Sequence, residues 1–379
     1  VSDIQHDTLQ LARALIACRS VTPADAGALE IVSTRLSAAG FRCERLDRGS
    51  VSNLWARHGD SGPLVCLAGH VDVVPPGPVD EWRSDPFTPT ERDGELYGRG
   101  AADMKGSVAA MVTAAERVAR PGSRGSIAIL LTSDEEGDAV DGTAAVVSIL
   151  RERGETIDAC IVGEPTSTER FGDTIKNGRR GSLNGRLRVR GQQCHIAYPE
   201  RGRNPIHDAA PAIAALVSAE WDRGNEYFQP TSFQISNIHA GTGASNIIPG
   251  ALDVALNFRY SPESTSQELQ ARVREILERH SMQFDLEWTV IGEPFLTPRG
   301  RLVDALMASV ESVSGVRPTL STSGGTSDGR FLARLAREVV EFGPLNLSIH
   351  KIDEHVRVAD LGPLSMIYER TVMRFFELP

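Results

Sequence analysis

The strongest constraint on what this chain can fold into is a set of short apolar runs that lead into carboxylates or imidazoles. The run at 64–68 leads to His70 in AGHVDVV, 127–132 to Glu136 in LLTSDEEGD, and 159–162 to Glu164 in CIVGEPTS. His350 follows Ile349 in LSIHKIDEH, and Asp103 follows the Gly-rich turn of GRGAADMKG. A further apolar run occupies 53–57, and helical segments near 105–119 and 142–153 separate the later runs. That alternation predicts an α/β fold: a mixed, mostly parallel sheet with helices on both faces. Sheets of this kind gather strand-end residues on one rim, where open α/β folds place their sites.

Two helices are expected before the first run. Ile4, Leu11, Leu15 and Cys18 mark one apolar face, and Leu29, Val32 and Leu36 another. The opening stretch carries acidic residues rather than a basic then apolar leader, so it is read as part of the fold. PPGPVDEWRSDPFTPTERDG is rich in proline and lacks periodicity, and is expected to be an ordered excursion over the rim.

The texture changes near Gly181. Residues 182–191 alternate apolar and polar, as a half-exposed strand does. A helix at 205–219, strands near 231–238 and 251–260, a helix at 264–280 and a strand at 284–290 complete a β-α-β-β-α-β series. This is the ferredoxin-like order. The expected organisation is therefore a catalytic domain of 1–180 and 294–379, interrupted by an α+β domain at 181–293.

At 379 residues, two domains are the natural division. A hydrophobic fraction of 41% with 24% charged residues is that of a water-soluble globular chain. No apolar run approaches the ~20 residues of a membrane span, so no membrane partner is expected and the cytoplasm is the expected compartment. Five cysteines without CxxC spacing argue against a disulfide framework. The net charge of −10 makes nucleic acid an unfitting partner. It also means that an anionic substrate would need local cationic groups.

His70 and Asp72 form H-x-D, and a strand period of two puts both side chains on one face. Ligating histidines commonly present their second ring nitrogen to a carboxylate, a place Asp72 can fill. Asp103 alone would pass for a helix N-cap. The turn before it lacks the third glycine of a dinucleotide fingerprint. Glu135 and Glu136 are consecutive and would face opposite ways in a strand, so both reach one site only if the chain bends, which Gly137 would permit. One would then be a ligand and the other a general base. Glu164 alone suits a ligand or a surface position equally, and His355 is expected to be exposed. Together, two imidazoles and several carboxylates at one rim call for a metal, paired cations or large pKa shifts, and metal is the simplest. Nitrogen and oxygen ligands without thiolate suit zinc, cobalt or manganese.

GHVDVVPPG, LYGRGAADMKG, TSDEEGDAVDGT, VGEPTS, KNGRRGSLNG, SGGTSDGRF and EFGPLNLSIHKIDEHV resemble the di-zinc aminoacylase and carboxypeptidase family along essentially the whole chain. The resemblance implies a zinc-exopeptidase-like catalytic domain, an inserted dimerisation domain and hence a homodimer. It implies one zinc on His70 and Glu164, a second on Glu136 and His350, and Asp103 bridging them, with cobalt able to substitute. Asp72 would support His70, Glu135 would be the general base, and the Asp103–Met104 peptide would be cis. His195, in QQCHIAYP, matches a histidine that reaches across the dimer to the tetrahedral oxyanion, although Cys194 stands where a glycine commonly precedes it. Arg179, Arg180, Ser182 and Arg259, the backbone of Gly324, Gly325 and Thr326, and the side chains of Tyr198 and Asn246 would receive a small anionic acylated amino acid.

The metal motifs do not separate members that release succinate from those that release acetate or cleave peptides. RRGS, SGGTSDGRF and EFGPLNLSIHK resemble the succinate-releasing branch more closely. A non-catalytic dimer that merely binds such a ligand should have lost Glu135 or a ligand, yet every position is filled.

Overall fold

The run Leu64–His70 is buried along its whole length, and its neighbours explain why. It pairs in parallel with Ser126–Thr132 on one side and Ile157–Val162 on the other. In this computed structural model, which describes residues 2–120 and 124–377, those strands form the middle of an 8-stranded sheet. The order is Arg42–Arg45, Asn53–His58, Ser126–Thr132, Leu64–His70, Ile157–Val162, Ala336–Glu341, Thr174–Lys176, Thr319–Ser321. Antiparallel pairs lie toward Arg42–Arg45 and where Ala336–Glu341 meets Thr174–Lys176. The central strands are parallel, as continuous apolar runs covered on both faces should be.

Helices Ser2–Ile16, Gly106–Val118, Arg301–Ser314 and Val358–Glu377 pack on one another. Gly106–Val118 buries nearly every side chain. Leu15, Leu29, Leu67, Met104, Val108, Ile129, Leu364 and Tyr368 share one core with them. The predicted helices at 105–119 and 142–153 are Gly106–Val118 and Thr143–Glu152.

The proline-rich excursion has more structure than its sequence suggests. Thr90–Arg92 and Glu95–Tyr97 form a hairpin across Asp93-Gly94, a turn pair suited to tight hairpins. His355–Arg357 joins it as a third strand. His355 therefore departs from expectation: it is half-buried, paired with Tyr97, with the two rings 4.9 Å apart.

The chain divides into two compact units. The first comprises Val1–Gly178, Leu296–Ser321 and Ser327–Pro379, and the second Arg179–Phe295 with Thr322–Thr326. The second unit is a four-stranded antiparallel sheet in the order Ser232–Ala240, Ala251–Tyr260, Gly181–Arg190, Gln283–Gly292. Helices Pro205–Ser218 and Ser266–Glu278 complete the β-α-β-β-α-β series. Alternate residues Leu183, Leu187 and Val189 point inward to meet Leu256, Val273 and Leu277. Asn204 caps the first helix by accepting the Ile206 N–H at 3.0 Å. Thr265 and Glu268 form a capping box at the second. Thr322–Thr326 belongs here because Thr322 donates to the Tyr227 carbonyl and Arg179 to those of Ser323 and Gly325.

Candidate active site

Within the first unit, the strand ends bring His70, Asp103, Glu136, Glu164 and His350 together. His70 closes Leu64–His70, and Glu164 follows Ile157–Val162 after one glycine. Met104 packs where a side chain at Gly69 or Gly163 would stand, with its Cε 2.2 and 2.6 Å from the Cβ each would carry. This close approach lays the Asp103 turn over both strand ends. The Asp103–Met104 peptide is cis.

Ligand atoms of His70, Asp103 and Glu164 lie within 4.8 Å of one another, as do those of Asp103, Glu136 and His350. Asp103 belongs to both groups: Oδ1 lies 3.3 Å from His70 Nε2 and Oδ2 lies 3.3 Å from His350 Nε2. His350 Nε2 is also 2.9 Å from Glu136 Oε1. His70 is almost wholly buried, whereas half of the His350 side chain is exposed. The His350 backbone has φ of 59°, a left-handed conformation uncommon outside glycine.

Asp72 organises the neighbouring loop. His70 Nδ1 pairs with the Asp72 backbone carbonyl at 2.9 Å, and the Asp72 carboxylate is farther away, at 3.6 Å. That carboxylate accepts the N–H of Glu136 at 3.1 Å and of Glu135 at 3.4 Å. This clamp, with Asp134 accepting the N–H of Val140 and Asp141, makes the bend that brings both glutamates to one place. Gly137 contributes by close approach rather than by torsional freedom: a Cβ there would stand 2.7 Å from Asp134 Oδ1 and Thr22 Oγ1.

The electrostatics follow from this crowding. Burial opposes charge on His70, but the Asp103 carboxylate and the nearby negative charge of Asp72, 3.6 Å away, override it and raise its pKa well above the usual imidazole value. Asp103 is pushed up by burial and more strongly down by His350 and His70, ending below the usual carboxylate range. His350 is raised to about 10 by its hydrogen bonds to Asp103 and Glu136. Glu135 is raised well above the ordinary value by burial and then by the Glu164 charge. The carboxylates of Asp72, Asp103, Glu135, Glu136 and Glu164 gather with two imidazoles among the described residues, a donor set of hard and borderline ligands that fits a pair of divalent cations.

Some residues of this region carried no role in the sequence reading. Asp328 is buried beside Thr143, and burial raises its pKa to about 6. Glu354 is wholly buried, and Arg99 nearly so. A charged residue inside a motif whose neighbours are assigned was the available signal.

The second unit holds the remaining candidates. His195 lies on a short two-stranded ribbon opposite Ile247, and its ring is 5.9 Å from that of Tyr198. His195 Nδ1 accepts the Ala197 N–H at 3.1 Å, so the neutral ring carries its proton on Nε2 and presents a donor to solvent. The Asn246 carbonyl accepts the Ile196 N–H, which places Asn246 in the same locality. Cys194 Sγ turns back toward the Tyr198 carbonyl, at 3.6 Å, and pairs by backbone with Ile248. Ser182 and Arg259 are register partners on adjacent strands. Burial and the neighbouring Arg180 lower the Arg259 pKa, so two guanidiniums share one place in an acidic chain. Arg179 is buried and spans the carbonyls of Ser323 and Gly325, holding the segment that ends at Thr326.

Fold and site together define a metallohydrolase-type centre, and the chain belongs to the family described as peptidase family M20/M25/M40, which matches residues 66–374. An M20 family metallo-carboxypeptidase from Sulfolobus solfataricus has the same fold, with a TM-score of 0.80 at 17% identity, covering 98% of this chain and 100% of that one. The succinyl-diaminopimelate desuccinylase of Alkalilimnicola ehrlichii is 60% identical over 370 residues, 97% of this chain and 99% of its own. That of Bordetella petrii is 60% identical over 366 residues, 96% of each chain. The family resemblance read from the motifs agrees with these matches.

Proposed function

We propose that this chain is a metal-dependent amide hydrolase that cleaves N-succinyl-LL-2,6-diaminopimelate to succinate and LL-2,6-diaminopimelate, a step of diaminopimelate and lysine synthesis. The single observation that carries the chemistry is the division of the Asp103 carboxylate between two three-ligand groups. Full-length identity to relatives named for this reaction supports the substrate.

His70, Asp103 and Glu164 would hold one zinc, and Asp103, Glu136 and His350 the other, with cobalt a competent substitute. When bound, such a pair polarises the amide carbonyl and lowers the pKa of water. Glu135 takes the proton of the attacking water on its carboxylate and gives it to the leaving amine nitrogen. Asp72 holds the Glu135–Glu136 loop in place. His195 donates through Nε2 to the oxyanion, from the other protomer of a homodimer built on the inserted domain. Arg179 and Arg259, with Ser182, Tyr198, Asn246 and the backbone at Gly325 and Thr326, receive the substrate carboxylates, for which guanidinium forks are suited.

The deciding experiment compares initial rates on N-succinyl-LL-diaminopimelate and N-acetylornithine. Preference for the succinyl substrate supports the proposal, and faster release of acetate replaces it with a deacetylase.

A further inference from the structure

Glu354 is wholly shut off from solvent, and its carboxylate is filled by donors from one short turn. Oε1 accepts the N–H groups of Ala102 and Asp103, each at 3.0 Å. Oε2 accepts the N–H of Gly100 at 3.0 Å and Arg99 Nη1 at 2.8 Å. The Glu354 carbonyl takes the Gly98 N–H at 2.9 Å. The turn that delivers Asp103 is therefore wrapped around a side chain from the loop that delivers His350.

Arg99 extends the bracket to a third segment. Its guanidinium reaches the Pro76 carbonyl at 3.4 Å and lies 5.1 Å from the Trp82 ring centroid. Trp82 Nε1 donates to that same carbonyl at 2.9 Å. Pro76 belongs to GHVDVVPPG, the segment that carries His70 and Asp72. One buried ion pair thus joins the segments bearing His70, Asp103 and His350.

Buried ion pairs are poor devices for stability alone, because apolar packing of the same volume commonly does as well or better. What this pair does that apolar side chains cannot is hold specified backbone N–H groups at a specified distance from the His350 loop. We propose that Glu354 and Arg99 are positioning residues: they set the separation of Asp103 from His350, and so the affinity and geometry of the metal position formed by Asp103, Glu136 and His350. This rests on the two-metal reading above.

The test uses cobalt(II) as the probe, added to chelator-stripped full-length protein, with stoichiometry and affinity from calorimetry and site geometry from the visible absorption bands. Glu354→Gln keeps the shape of the side chain but removes its charge and points an NH₂ at backbone donors. It is expected to bind two cobalt ions, at least one of them about 10- to 100-fold more weakly than wild type does. The visible bands shift, and kcat falls while KM stays near wild type. A Glu354→Gln protein with wild-type affinity and bands at both positions overturns the proposal, whatever its melting temperature. If that variant does not fold, Arg99→Lys carries the same test, since it keeps the charge and loses the fork. A weakened position supports the bracket, and two unaltered positions overturn it. Wild-type protein that binds fewer than two cobalt ions overturns the two-metal reading itself, which separates that failure from failure of the bracket alone.

Discussion

The Nδ1 of His70 pairs with the backbone carbonyl of Asp72 at 2.9 Å, closer than the Asp72 carboxylate, at 3.6 Å. The ring is therefore oriented chiefly by a group that mutation of the Asp72 side chain leaves in place. The carboxylate serves the Glu135–Glu136 loop instead. Asp72→Ala is expected to keep the metal position of His70 and Glu164 while lowering kcat about 10- to 100-fold. Metal content measured beside kcat checks this. Loss of the His70-side metal would show that the carboxylate, not the carbonyl, holds the ring.

The proposed role of Glu135 is to accept a proton rather than to hold a metal. Glu135→Ala should lower turnover by ~10²–10⁴-fold or more, the range for a removed general base, with metal stoichiometry unchanged. Parallel loss of metal and activity would make Glu135 a ligand.

The pH dependence has a definite sign. Glu135 acts as base only when ionised, and burial and Glu164 raise its pKa above the ordinary ~4.3 of a glutamate. Those causes act in the metal-free protein and bound divalent ions beside Glu135 oppose them, so the sign comes from the need for the ionised carboxylate: activity is lost as pH falls. A kcat/KM profile with no acid limb contradicts the assignment.

In the metal-free protein His70 and His350 hold protons at neutral pH, because one pKa is well above the imidazole norm and the other is about 10. Both rings must lose those protons to coordinate. Metal affinity should therefore rise with pH up to about 10, with protons released on binding. Calorimetry in buffers of different ionisation enthalpy counts them, and binding without proton release opposes this picture.

His195→Ala removes the Nε2 donor. A fall in kcat of order ~10² is expected if that donor meets the oxyanion. Wild-type turnover in the variant removes His195 from the site.

The strand-borne part of this site was legible because ligand and strand end coincide in sequence: His70 and Glu164 follow directly from apolar runs. The clustering of Glu135 with Glu136 was legible only as a requirement for a bend, since the Asp72 clamp acts across a distance that periodicity does not report. The excursion was legible as ordered, but its Asp93-Gly94 hairpin was not, because five prolines mask the alternation, and the half-burial of His355 was hidden with it, since its strand partner lies in that hairpin. Glu354 escaped notice because a buried carboxylate looks like any acidic loop residue until its donors are known. Thr322–Thr326 grouped with the second unit through contacts at Arg179 and Tyr227, which are remote in sequence.

The most direct measurement of the central claim is succinate release from N-succinyl-LL-diaminopimelate by purified protein, before chelation, after it, and during titration with zinc. The account predicts activity that vanishes with the chelator, returns with zinc and reaches its full value at two ions per chain. Hydrolysis that survives complete metal removal, or full activity with no second ion bound, would contradict it.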